Sequence, residues 1–337
     1  MAIPAALTLA ALALWIAPIP APLIERWYSR GVYPAWQRGA TTASNFAPFA
    51  MFDLLLLAAA ILLLLIAARA RRARSWRYAA SRLLLLAGVT GLWFQLAWGL
   101  NYRRLPIAET MGLTTTAGSD AALERFATAA ADAAAASADQ LDRENPLTPS
   151  RVLADMTTGF LRAQQKAGLS TFARAGRPKR SLFDFYFQWT AIDGVTNPLI
   201  PETILVSGLT PAEVYVTAAH EWAHLAGYAS EDEANFVGWL ACLEAGAGAQ
   251  YNAWLFALMK AAGAAPERQR RAWLARAGPI VAQDLAAIRA RLQRSSPALR
   301  HAASTAYDQF LRANRVEGGI RSYDEVLQLM LAYGTGQ

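Results

Sequence analysis

Residues 220–224 read HEWAH and use two of the three histidines in the 337-residue chain. His220 and His224 are four apart, so on a helix they lie one turn apart on the same face. Two imidazole nitrogens placed that way converge on one Zn²⁺ at roughly 2.0–2.1 Å each. Glu221 is displaced around the helix from the first histidine. From there it reaches a water beside the metal without ligating the metal. Zinc lowers the pKa of such a water and the carboxylate takes its proton. The five residues thus propose two ligands and a general base. The plainer alternative is a pair of packing histidines.

The elements that must position these groups are legible around the motif. Thr210, Pro211 and Glu213 have the N-cap, N1 and N3 identities of a capping box, and predict a helix from about Pro211 to Leu225. Gly227 supplies a stop. Ser230 is expected to open a second helix with Glu231, Asp232 and Glu233 in its first turn, where acids suit the helix dipole. A catalytic zinc needs a third protein ligand and one open position. Glu231 is preferred, because Ser230-x-x-Glu233 is itself a capping box that would occupy Glu233. Glu233 and the distant His301 stay open as alternatives. Tyr228, Tyr251, His301 and Tyr323 are the candidates to donate to the oxyanion of a tetrahedral intermediate.

The segment EDEAN at 231–235, following HEWAH, resembles the ExxAD segment of membrane zinc proteases of the prenyl-protease and heat-shock type. That resemblance implies Glu231 as the third zinc ligand. Asn235 stands where those proteases carry a supporting Asp, and the spacer is shorter. A resemblance of wider reach rests on five ordered blocks. These are WGLNYRR (98–104), KRSLF (179–183), NPLIPET (197–203), HEWAHLAGYASEDEANFVGWLAC (220–242) and EGGIRSYDEVLQLMLA (317–332). Together they resemble an uncharacterised bacterial family of membrane-anchored, zincin-like proteins, known as a domain of unknown function. It implies a fold and a metal site, and no substrate.

Composition points to a membrane. The chain is 55% hydrophobic, and the apolar excess lies in its first 100 residues. Residues 2–24 and 83–100 carry no charge, and residues 46–68 carry only Asp53. Each is about long enough to cross a ~30 Å hydrocarbon core. The proline-containing first segment is expected to be a retained span, because it lacks the basic region of a signal peptide. Arg69, Arg71, Arg72, Arg74, Arg77 and Arg82 lie between the second and third segments, against Arg26, Arg30 and Arg38 between the first and second. The heavier cluster is expected in the cytoplasm, which puts everything after residue 100 on the outer face of a bacterial inner membrane. The net charge of +7 is assigned to arginines touching anionic lipid rather than to nucleic-acid binding. The single Cys242 excludes an internal disulfide and reads as a small buried residue.

Residues 105–337 are expected to form one mainly α, zincin-like (α+β) metallopeptidase domain behind an anchor of residues 1–104. A linker is expected at 105–118, and helices at 120–141, 149–167 (capped by Thr148), 231–263, 266–292, 297–314 and 322–334. Residues 180–208 alone read as strand, with aromatic SLFDFYFQW and β-branched TILVS. The family resemblance implies that Phe183–Trp189 or Thr203–Ser207 pairs with substrate backbone. The expected function is a membrane-anchored zinc metallopeptidase with ligands His220, His224 and Glu231 and base Glu221, acting on a peptide or protein. The alternative is a non-catalytic zinc-binding membrane scaffold or sensor.

Overall fold

The computed structural model describes residues 2–115, 119–316 and 325–335. Its order is α1 Ala2–Ile16, α2 Ala21–Phe46, α3 Met51–Arg72, α4 Trp76–Ala97, α5 Ile107–Met111, α6 Asp120–Ser137, α7 Pro149–Lys166 and α8 Asp184–Thr190. Then come β1 Gly194–Asn197, β2 Glu202–Leu205, α9 Pro211–Leu225, α10 Glu231–Leu243, α11 Ala247–Ala264, α12 Glu267–Leu292, α13 Pro297–Ala313 and α14 Val326–Thr335.

Helices α3 and α4 are each long and apolar enough to cross a membrane. The first expected span is different. Instead of one helix over 2–24, α1 stops at Ile16 and α2 leaves at 109° to it. The physical cause is Pro18 and Pro20, which withhold N–H donors and disfavour the helical region for the residues before them, while Pro22 is tolerated in the first turn of α2. Only the bent pair taken together passes as a third span. α1 runs beside α4 in the same direction. Thr8 Oγ1 donates to Leu84 O at 2.9 Å, and Arg103, just past the end of α4, donates to the last carbonyls of α1 at Leu14 and Ala17.

The expected loop carrying Arg26, Arg30 and Arg38 is therefore a helix, and it lies over the rest of the chain. Arg30 donates to Gly168 O at 2.7 Å, Tyr33 Oη to Leu225 O at 3.0 Å and Thr41 Oγ1 to Pro201 O at 2.9 Å. α3 is fastened at its first turn. The Glu202 carboxylate accepts from the N–H groups of Met51 at 2.9 Å and Phe52 at 2.6 Å, and pairs with Lys179 Nζ at 3.0 Å. An anion at a helix N-terminus is favoured by the unsatisfied N–H groups there.

After α4, the segment expected as a linker starts with a short helix, α5. The core is built around α9, α10 and α11, with α6 and α7 packed outside them. Trp222, Phe236, Leu240 and Cys242 are fully buried within it. The long helix expected over 231–263 is two helices, broken at Glu244–Gly246. α12 carries a kink at Gly278, φ 86°, ahead of Pro279.

The sheet has two antiparallel strands, with Gly194 opposite Leu205 and Asn197 opposite Glu202. Two sequence expectations are corrected here. Phe183–Trp189 is the N-cap and body of α8 and not a strand, although Phe183, Phe185, Phe187 and Trp189 alternate. Asp184 also fixes the segment by accepting from Ser207 N at 2.7 Å. Thr203–Ser207 includes the end of β2, but β2 is flanked by β1 and by the Lys179 bridge. The strand exposed beside α9 is β1.

Candidate metal centre

α9 forms as its capping box requires. Thr210 and Glu213 satisfy each other's backbone, with Thr210 N donating to Glu213 Oε2 at 3.0 Å. The helix ends before Gly227, whose φ of 85° only glycine adopts without strain. The turn returns the chain so that α10 lies against α9. Close approach is possible because position 238 is glycine. A Cβ there would lie 2.8 Å from His220 N and 3.0 Å from His220 Cα.

This packing brings His220, His224 and Glu231 together, with one potential ligand atom of each within 4.8 Å of the others. Glu231 Oε2 lies 3.2 Å from His220 Nε2, and Oε1 lies 3.7 Å from His224 Nε2. Burial would raise the Glu231 pKa, yet the two imidazoles outweigh it and hold the carboxyl well below its ordinary range. Burial opposes the charge of His224 as well, but Glu231 pushes its pKa up to about 9. In the metal-free protein, the carboxylate and imidazoles thus compensate one another.

Two observations bear on whether the cluster suits a metal. His224 Nδ1 lies 2.7 Å from Tyr228 O, so Nδ1–H donates there, and in the neutral imidazole Nε2 is the nitrogen left with its lone pair toward Glu231. Glu231 Oε2 and His220 Nδ1 are buried and make no hydrogen bond. Two imidazoles and a carboxylate are also the donor set of a catalytic zinc site. The residues present fit the ion.

Glu221 is buried beside the cluster. Its Oε2 accepts from Thr196 Oγ1 of β1 at 2.7 Å. Burial raises its carboxyl above the usual range, against the opposing pull of His220 and His224. Position 194 is glycine for a visible reason, since a Cβ there would lie 2.5 Å from Glu221 Oε1.

The other expected residues separate. Glu233 accepts from Ile107 N at 2.5 Å and faces away from the cluster, so the capping role expected of it at Ser230 is not formed. Burial pushes the Glu233 pKa up to about 7, although Arg104 opposes this. His301 is exposed on α13, and Tyr251 Oη donates to Asp284. Tyr228 is buried under the Arg104 guanidinium, 4.3 Å from the ring centroid, and its carbonyl holds His224. Tyr323 lies outside the described residues. Asn235 lines the same cavity as the ligands, and its amide nitrogen is buried without a hydrogen-bond partner. It does not orient His220.

Three contributors were not visible in the sequence. Thr196 holds Glu221. Tyr307 Oη on α13 donates to Glu231 Oε1 across 76 residues of sequence. Arg291 ties α12 to Asp193 at 2.7 Å and also to Glu213. No short-range pattern marks any of them. The cluster opens into a cavity of about 920 Å³. Its walls are largely apolar, with Ile192, Val195, Val216, Leu255, Met259 and Ile288 among them.

A family model matches residues 28–331, most of the chain and all of the site. The chain belongs to that family, described as a protein of unknown function, DUF3810. No curated protein and no solved structure matches it. The family match covers residues 28–46 of α2 as well as the motif helices.

Proposed function

We propose that the chain is a membrane-anchored zinc metallopeptidase of zincin type. The observation that carries this reading is a buried carboxylate, Glu221, beside a convergent His220–His224–Glu231 set in a cavity large enough for several residues of a peptide. Zinc held by those three residues would supply a Lewis acid for an amide carbonyl and acidify a neighbouring water. Glu221 takes the proton from that water and returns it to the leaving amine. Its raised pKa suits both transfers, since a base poised nearer neutrality also serves as an acid. Thr196 orients the carboxylate. β1 carries no strand on its cavity side among the described residues, which suits pairing with an extended substrate backbone.

The membrane part rests on α3 and α4. α3 spans about 33 Å at 1.5 Å per residue over its 22 residues, enough for a hydrocarbon core. Its N-terminal end is bound to β2, and its far end carries the arginine cluster. The site and the cluster are therefore at opposite ends of the α3–α4 hairpin. With the arginines in the cytoplasm, the site lies outside the inner membrane.

The test is the full-length protein and Glu221→Gln. Purified wild type is expected to hold one zinc per chain and to cleave a peptide library. The variant is expected to keep its zinc and lose turnover by roughly 10²–10⁴-fold, the usual contribution of a general base. Absence of stoichiometric zinc would falsify the metal assignment. Zinc without cleavage in wild type would favour the scaffold or sensor reading.

A further inference from the structure

Phe185, Tyr186 and Trp189 form one side of α8, and Leu182 extends it from the turn two residues before the helix. All four are exposed, Leu182 at 81% and Trp189 at 51%. The rings of Phe185 and Trp189 meet edge-on at 5.5 Å, so the stripe is continuous. The opposite side is engaged. Phe187 packs against Phe52 and Ala50, and Asp184 is bonded to Ser207. A contiguous exposed aromatic stripe on a chain with a well-filled core marks a surface for something else.

Its place in the fold says what covers it. Asp53, in the first turn of α3, accepts from Ser181 Oγ at 2.5 Å and from Leu182 N at 2.8 Å. Both carboxylate oxygens are used to hold the start of the stripe against the residue at which the apolar part of α3 begins. Phe46 and Phe49, on the segment leading into α3, are exposed as well. Arg180, two residues before the stripe, is an exposed cation, and so is Arg174 further upstream. Aromatic side chains flanked by arginines at the end of an apolar helix are the composition of a membrane–water interface.

We infer that Leu182–Trp189 is immersed in the interfacial layer of the bilayer that α3 and α4 cross. Tyr186 and Thr190 of the same helix line the cavity of the metal centre. So do Trp98 and Tyr102, directly after α4. The cavity mouth is therefore held at the lipid surface. The substrate class that follows is polypeptide presented at the bilayer, tethered to it or emerging from it, in preference to a freely diffusing peptide. The immersion rests on the membrane-anchored part of the reading above and is independent of zinc and of turnover.

The experiment places a fluorescent probe on Phe185→Cys of the full chain, reconstituted in phosphatidylcholine–phosphatidylglycerol vesicles. Cys242 is fully buried, so labelling goes to the introduced thiol. Trp189→Cys is a second site should the first disturb folding. Leu57→Cys on the exposed face of α3 reports the hydrocarbon, and Arg268→Cys on exposed α12 reports bulk water. Lipids carrying a nitroxide near the headgroup are expected to quench the position-185 probe about threefold or more beyond the position-268 probe, as interfacial depth requires. Equal quenching at 185 and 268, with strong deep-chain quenching at 57, overturns the immersion. Lack of quenching at 57 overturns the membrane reading itself, so the two failures are distinct.

Discussion

His224 shows how a neighbour fixes what an imidazole can do. Its Nδ1–H is committed to Tyr228 O, which leaves Nε2 for a metal. That carbonyl belongs to the residue after Gly227, so the turn that stops α9 also sets the tautomer. Glu231 is supported from the other side by Tyr307. Groups that hold a ligand in this way typically change metal affinity 10–100-fold when removed. Tyr307→Phe is therefore expected to weaken zinc binding by roughly tenfold while leaving the thermal midpoint of the apo protein nearly unchanged. Competition against a chromophoric chelator measures it, and unchanged affinity would remove Tyr307 from the site. The two histidines, Glu221 and Glu231 could be read from sequence because they sit on consecutive helices joined by the Gly227 turn, where spacing fixes the face. Tyr307 and Thr196 could not, since each reaches the site only through the packing of α13 and β1.

At the scale of elements, the capping residues located α7 and α9 well. Thr148 and Thr210 both lie at N-caps, and α9 spans the expected residues. The failures have physical causes too. Aromatic content favours a strand over 183–189, whereas the structure forms α8, with Phe185, Tyr186 and Trp189 exposed on it. Charged residues interrupt the hydropathy over α2 and make it read as a loop, while the contacts that order it, with Leu225, Pro201 and Gly168, are long-range. The packing of α9 on α10 is what makes the site, and it hinges on Gly238. Gly238→Ala would favour an isolated helix by roughly 0.5–1 kcal/mol. Against this, the new methyl meets the His220 backbone at 2.8 and 3.0 Å, and backbone in two packed helices cannot yield as a side-chain tip does. Overpacking of this kind costs about 1–3 kcal/mol, so the steric term is expected to win. The variant should melt at lower temperature and bind less zinc than wild type, because His220 must move. A higher melting temperature with full zinc occupancy would show that the two helices can separate without disturbing the ligands.

For the whole molecule, the decisive question is which end of the α3–α4 hairpin faces the cytoplasm. α1 lies parallel to α4, so the first residues of the chain and the arginine-rich turn at Ala73–Ser75 are at the same end. The metal cluster is at the other end, where Trp98 donates to His224 O at 3.1 Å directly after α4. The cluster and the arginines are thus at opposite ends of the hairpin, and on the proposed reading the cationic turn is retained on the cytoplasmic side. Hydropathy alone located the two long apolar helices α3 and α4 but missed the bend between α1 and α2, and it could not pair the ends of α3 and α4 with the site, which required the Asp53 and Glu202 contacts. Arg71→Cys and Arg268→Cys, both at exposed positions, turn the question into a labelling pattern. A membrane-impermeant maleimide applied to intact cells whose outer membrane has been opened is expected to label Arg268→Cys alone. Arg71→Cys should become reactive only after the inner membrane is permeabilised. The reverse pattern would put the site in the cytoplasm, and labelling of both in intact cells would mean that the hairpin does not cross the bilayer at all.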